Sequence, residues 1–224
     1  TFGARVWSGK VYMRMDYVDL VALRQWVALP AQVERGAGAI EVWSTLDASQ
    51  VKDVMADLAL VNVRLRLAAR LPFLDLSNLS GRLAWSKDGN GIDMSARRLT
   101  FTTPDGLRMP PGDFRFKRVG AEDEANAQSE LRFDSLDLAA LMRLADRLPL
   151  DERLRQRLGE MSPRGTVHDF QFAWTGPLET RSRYQLRAAF DGIAVSPSGY
   201  LPGFSSVSGT LEASERGGGA GLRA

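Results

Sequence analysis

Cysteine is missing from all 224 residues, which excludes disulfide staples, a thiol nucleophile and thiolate-bound metal. Histidine appears once, as His168. A long apolar run is also missing. No stretch approaches the roughly twenty residues that a bilayer-spanning helix needs, and the first residues carry no secretory signal pattern. Charge of one sign is lacking as well. Lys+Arg of 29 against Asp+Glu of 27 leaves a net +2, too balanced to imply nucleic acid. Of those cations 25 are arginines, spread over the whole chain. The sequence starts on a strand pattern and ends in Gly217-Gly218-Gly219-Ala220-Gly221. It therefore reads as a slice cut from a longer protein, with any membrane anchor outside it.

What is present is a junction written twice. Arg14-Met15-Asp16-Tyr17-Val18-Asp19-Leu20-Val21-Ala22-Leu23 returns as Arg132-Phe133-Asp134-Ser135-Leu136-Asp137-Leu138-Ala139-Ala140-Leu141, with six of ten positions identical. Apolar residues alternate before each junction (Trp7, Val11, Met13, Met15, Tyr17; Leu131, Phe133) and fall at helical spacing after it (Leu20, Leu23, Trp26, Val27; Leu138, Leu141, Leu144, Leu148). Each is a strand running into a helix, with Asp19 and Asp137 at the N-cap, where a carboxylate accepts from free backbone N–H groups. The repetition predicts an internal repeat.

In chain order, a strand over about residues 5–16 precedes a helix from Leu20 to Leu29, stopped by Pro30. The three-residue spacing of Ile40, Trp43 and Leu46 predicts a second short helix. A long alternating stretch then changes phase. Val54, Ala56, Leu58 and Leu60 are even-numbered, whereas Val63, Leu65 and Leu67 are odd; Leu186, Ala188 and Phe190 give way in the same manner to Ile193 and Val195. A change of phase needs a bulge or turn, or the apolar face would flip to solvent. Lys87 to Gly91 predicts a hairpin turn. Strands follow over 92–103 and 107–119, the latter interrupted at Pro110-Pro111, and a polar loop covers 120–129. Later come a helix from Leu138 to Leu148 before Pro149, a helix over 151–159, and strands after Pro163. The fold class is α+β, mostly antiparallel β: a long, curved, twisted, groove-like sheet with short helical insertions and two copies of a repeat. Copy one covers 1–86, a β-hairpin segment and polar loop cover 87–129, and copy two covers 130–224, all as one continuous unit.

Sites for chemistry are weak. His168-Asp169 lacks the strained Gly-x-Ser-x-Gly elbow that would supply a nucleophile. Asp88, Asn90 and Asp93 resemble the start of a calcium loop, but Leu99 stands where the bidentate Glu belongs. Asp16 and Asp134 can be satisfied by backbone N–H groups or the nearby arginine. The C-terminal glycines lack the Lys-Ser/Thr of a phosphate loop. The reading is therefore of a protein that is not an enzyme, with no catalytic residue, metal or cofactor and no nucleic-acid partner, and of a monomeric fragment.

An ordered set of motifs carries more. Asp-Leu-x-x-Leu follows a strand in both halves. Gly-x-Gly-x-Ile-x-x-Trp spans Gly36 to Trp43, a further strand runs from Asn62 to Leu65, and Leu-Pro-x-Leu-x-Leu-x-x-Leu-x-Gly-Arg spans Leu71 to Arg82. Leu-Pro-Leu (Leu148 to Leu150), Pro-x-Gly-x-Val (Pro163 to Val167) and Pro-Gly-Phe-x-x-Val-Ser-Gly (Pro202 to Gly209) follow. Together, over almost the whole chain, they resemble the YhdP family, large AsmA-like proteins of the Gram-negative envelope related to bridge-like lipid transporters. The resemblance implies an internal periplasmic segment of a protein anchored in the inner membrane. It also implies a role in moving phospholipid to the outer membrane along a β-groove, with no catalytic residue to carry over.

On that expectation the lipid-facing wall is Val11, Met13, Met15, Tyr17, Val54, Leu58, Val63, Leu65, Leu83, Phe101, Phe114, Phe116, Phe133, Phe172, Leu186 and Phe190, and its partners are phospholipid acyl chains. The same alternation would arise if these residues filled a closed core, as in a scaffold or assembly factor that presents sheet edges to envelope proteins.

Overall fold

The computed structural model describes residues 8–24, 31–48, 50–120, 125–177, 183–197 and 203–223. Within them the chain builds one open, curled, eleven-stranded sheet in strict sequence order, every neighbouring pair antiparallel. The strands are β1 (Gly9–Asp19), β2 (Gln32–Asp47), β3 (Gln50–Arg66), β4 (Leu74–Asp88), β5 (Gly91–Thr102), β6 (Arg108–Val119), β7 (Gln128–Asp137), β8 (Arg164–Thr175), β9 (Arg183–Val195), β10 (Phe204–Ser214) and β11 (Gly217–Arg223). The helices are α1 (Leu20–Leu23), α2 (Leu138–Leu144, continued by a 3-10 turn, Ala145–Arg147) and α3 (Glu152–Met161). No helix among the described residues is long and apolar enough to cross a membrane.

The two junctions are built as their residues dictate. Asp19 accepts from the Val21 N–H at 2.8 Å and Asp137 from the Ala140 N–H at 3.0 Å, each supplying an acceptor to a helix start. Asp16 pairs with Arg14, and Asp134 accepts from the backbone N–H groups of Asp113 and Ser135. Asp151 caps α3 in the same way.

Two expectations are corrected. Ile40, Trp43 and Leu46 lie in β2, not in a helix. Ile40, Val42, Ser44 and Leu46 take one face and Glu41, Trp43 and Thr45 the other, and pairing with β1 and β3 on both sides overrides the three-residue spacing. Pro110 and Pro111 do not interrupt a strand; β6 runs through them at a lapse in its ladder, where a missing N–H costs nothing. The glycine-rich tail is an edge strand, β11, paired with β10 from Ser208 to Ser214. Trp7, Trp26, Val27, Leu29, Pro30 and Leu201-Pro202 lie outside the described residues.

The change of phase is far more general than the sequence suggests. Asn62, Arg98, Asp169 and Ser206 have left-handed backbone, φ +51°, +48°, +49° and +56°, and so does Gly192 at +59°. Register shifts accompany them between Met15 and Val18, Arg35 and Ala37, Ser80 and Arg82, Ala96 and Leu99, and His168 and Gln171. Asn62 lies near Gly38, Arg98 between the partners of Arg82 and Gly112, and Asp169 beside the partner of Phe133. The irregularities form one crease crossing the sheet transversely. Bulges bend strands and sharpen their twist, so the crease divides the sheet into two flanks.

Only one flank is closed. Leu20 of α1 and Ala140 and Leu144 of α2 pack with Val33, Ile40, Leu60, Val63, Leu74, Leu76 and Leu107 in a single buried cluster. Arg143 of α2 reaches Asp105 at 2.5 Å, and Arg147 donates to the Phe73 carbonyl oxygen at 3.2 Å. Arg155 of α3 donates to the carbonyls of Ala145, Leu148 and Leu150, closing the end of α2.

Candidate functional site

The other flank carries two apolar rows. Residues directly paired across strands share a face, so the ladders trace each row. The first is Val11, Ser44, Val54, Trp85, Met94, Phe116, Leu131, Phe172, Leu186, Ala213 and Gly218, one residue from each of the eleven strands. The second, two residues closer to the crease, is Met13, Val42, Ala56, Leu83, Ala96, Phe114, Phe133 and Phe170, from β1 to β8. Ten inter-strand steps of roughly 4.8 Å make the first row about 48 Å long. Its only hydroxyl, Ser44, donates to the Asp53 carbonyl oxygen at 2.8 Å and so adds no free polar group.

Among the described residues much of this stripe is open, although Ala96 is buried and Val42 packs against the core. Met13 and Met94 are each 46% exposed, Phe114 43% and Leu83 39%, while Val11, Val54, Trp85, Phe116, Phe133 and Phe172 are half-buried. Aromatic rings stiffen its middle. Phe133 and Phe170 stack with centroids 4.3 Å apart, Phe172 and Trp174 at 4.9 Å, and Phe116 lies 6.3 Å from Trp174.

The reverse face has the opposite chemistry. Opposite the first row run Lys10, Thr45, Asp53, Ser86, Asp93, Lys117, Glu130 and their continuation to Ser214. Ion pairs lace this side. Arg82 holds Asp57 through two bonds of 2.6 Å, Arg115 holds Asp93 at 3.0 and 2.5 Å, and Arg132 holds Glu130. Hydrogen bonds from Arg82 and Arg115 keep the Asp57 and Asp93 carboxyls below the ordinary value, against a smaller opposing effect of burial. The Thr103 hydroxyl and then Arg143 do the same for Asp105. Tyr12 donates to Glu41 at 2.5 Å, which pushes its hydroxyl up. Short side chains at Ala84 and Ser95, between Met55 and Arg115, leave a shallow depression of about 540 Å³ here, edged by Asp53, Asp93, Arg97, Arg115 and Arg132.

Of the expected wall, Val11, Val54, Phe116, Phe172 and Leu186 fall in the first row and Met13, Leu83, Phe114 and Phe133 in the second. Phe190 sits at the crease, paired with Val167 and Gly209. Met15, Leu58, Leu65 and Phe101 pack against the helix-covered core, and Val63, 1% exposed, lies inside it, so these five line no open surface. Tyr17 is also corrected. The register shift between Met15 and Val18 turns Val18 toward the core and leaves Tyr17 77% exposed on the far side. The wall missed Trp85, Met94, Leu131 and Phe170, whose membership follows from cross-strand register rather than from alternation along one strand; Val42, in the second row, packs against the core like Leu58. His168 pairs with Asp191 at 3.2 Å beside the crease.

In comparison with known proteins, the family model described as YhdP protein aligns with residues 2–224. No curated protein and no solved structure matches the chain.

Proposed function

Since the chain belongs to the YhdP family, whose members are AsmA-like envelope proteins, we propose that it is a non-catalytic section of a periplasmic lipid conduit. In this reading phospholipid passes between the inner and outer membranes with its acyl chains on the apolar stripe. One observation carries it: the first row crosses all eleven strands, from one sheet edge to the other, and among the described residues none of its members belongs to the helix-covered cluster. Each methylene withdrawn from water onto such a surface contributes about 0.8 kcal/mol. Because successive rows offer the same chemistry, a chain can slide without crossing a polar step. The reverse face, held by arginine–carboxylate pairs, stays wetted.

A second reading has its own support. The outer edges of β1 and β11 are unpaired among the described residues, and such edges accept added strands, as a scaffold for envelope proteins would use.

A photo-crosslinking residue placed at Met94 or Phe114, in the 224-residue chain expressed in a Gram-negative envelope, tests the conduit. Phospholipid adducts are expected at both positions and not at Ser95 or Arg115 on the reverse face. Equal labelling of the two faces, or protein adducts alone at Met94 and Phe114, overturns it.

A further inference from the structure

On the helix-covered flank, α2 and the turn between β5 and β6 leave a gap where β4 begins. The gap is a cavity of about 280 Å³. Its floor is the buried side chains of Leu74, Leu107 and Leu144, and its polar lining includes Arg143, Arg147, Asp75 and Asp105. We propose that this cavity binds a small amphipathic carboxylate, an alkanoate of medium chain length. The tail rests on the three leucines and the carboxylate is held at the mouth by Arg147 and Arg143. The site lies apart from the open stripe and does not depend on what travels there.

The acids around the cavity are already engaged. Asp75 pairs with Arg35 at 2.9 Å and Arg64 at 3.5 Å, and Arg64 also holds Glu34 at 3.0 Å. Asp105 accepts from the Thr103 hydroxyl and from Arg143 at 2.5 Å. Arg147 is exposed and meets no carboxylate among the described residues. Its Nε donates to the Phe73 carbonyl oxygen at 3.2 Å and its Nη1 to the Arg143 carbonyl oxygen at 3.4 Å, which leaves Nη2 for a ligand. Two neighbouring guanidiniums therefore share the one carboxylate of Asp105. Arg66 adds a further cation, since its guanidinium lies 4.6 Å from the Phe73 ring and its hydrogen-bond partner, Gln32, is neutral. Among the remaining acids, Asp146 is exposed and outside the lining, Asp151 caps α3, and Glu152 is followed by Arg153. The connection over residues 25–30 contains no charged residue. The unmatched charge thus sits at Arg147, beside an apolar floor. A carboxylate there gains a charge-assisted hydrogen bond, while its tail leaves water. The volume equals about nine waters of roughly 30 Å³ each, so the tail is limited to roughly six to eight carbons and the two chains of a phospholipid do not fit.

The test titrates the 224-residue chain with sodium octanoate, followed by calorimetry and by the methyl NMR signals of its leucines. Saturable binding is expected, about tenfold or more tighter than that of 1-octanol, which has the tail alone, or acetate, which has the charge alone. Shifts are expected at Leu74, Leu107 and Leu144. Shifts at Leu83, Leu131 and Leu186 instead put the alkyl chain on the open stripe, which overturns the cavity site and leaves the conduit standing. Arg147→Gln is expected to weaken octanoate about tenfold. Arg70→Gln, which removes an exposed cation in the turn between β3 and β4, is expected to leave it unchanged. Binding untouched by Arg147→Gln, weakened equally by Arg70→Gln, or matched by octanol or acetate overturns the proposal, as does the absence of saturable binding. A peptide ending in a free leucine carboxylate that binds more tightly than octanoate overturns it in favour of a protein C-terminus.

Discussion

Gly38 of β2 sits so tightly against Ala59 of β3 that a Cβ built on it would come within 2.2 Å of the Ala59 carbonyl oxygen. Its backbone, at φ +150°, lies on the side of conformational space that suits glycine. Gly38→Ala is therefore expected to destabilise the chain by about 2–3 kcal/mol through forced separation of two paired strands. Urea unfolding followed by circular dichroism checks this, and an unchanged midpoint would mean that the crease is not held as described.

At Asn62 the left-handed backbone makes the opposite case. Asn tolerates φ near +51°, but a β-branched side chain does not. Asn62→Gly is expected to be neutral within about 0.5 kcal/mol, and Asn62→Val to cost about 1–2 kcal/mol. A reversed order in thermal unfolding sinks the assignment.

Leu144, the α2 residue buried in the core cluster, is 4% exposed. Leu144→Ala is expected to cost about 2–5 kcal/mol and to raise hydrogen exchange first in α2 and the β5–β6 turn, which Arg143 and Asp105 join. Uniform exchange across the sheet would show that the helix is not what closes that flank.

Acid should loosen the reverse face. Asp57 and Asp93 have folded values below the ordinary 3.8, so their stabilisation is complete above that value and is lost as pH falls through the lowered ones. Replacing both with Asn is expected to flatten the fall in urea midpoint between about pH 5 and pH 2. The pairs are partly exposed, so added salt should shrink the same effect. A wild-type fall no steeper than the variant's refutes it.

Because Met94 is half out in solvent, Met94→Arg is expected to change stability by less than about 0.5 kcal/mol. It should nonetheless break the first row and cut lipid capture severely. Unaltered capture by a well-folded variant argues that acyl chains do not follow this row.

The helix junctions, the antiparallel strands and the phase breaks at Val63 and Ile193 were legible because each is written within about ten residues: a cap, a proline, an alternation. The stripe was only half legible. Whether Val63 or Met94 faces open surface depends on which strands α1 and α2 cover, and no local pattern carries that information. Leu58 and Leu83 alternate alike, yet one packs near helices and the other does not. Ile40, Trp43 and Leu46 misled for a related reason, since helical spacing and strand alternation coincide over so short a window. Tyr17 was misplaced because a register shift two residues wide is invisible without its partner strand.

The transverse crease gives each long strand two independent phases. A one-residue insertion on the open flank would turn over only that flank's side chains, down to the crease, and leave the helix-packed flank in its own phase. The open apolar surface and the folding core are thus separately adjustable parts of the same strands, so the surface can be rewritten in sequence without renegotiating the core that holds it.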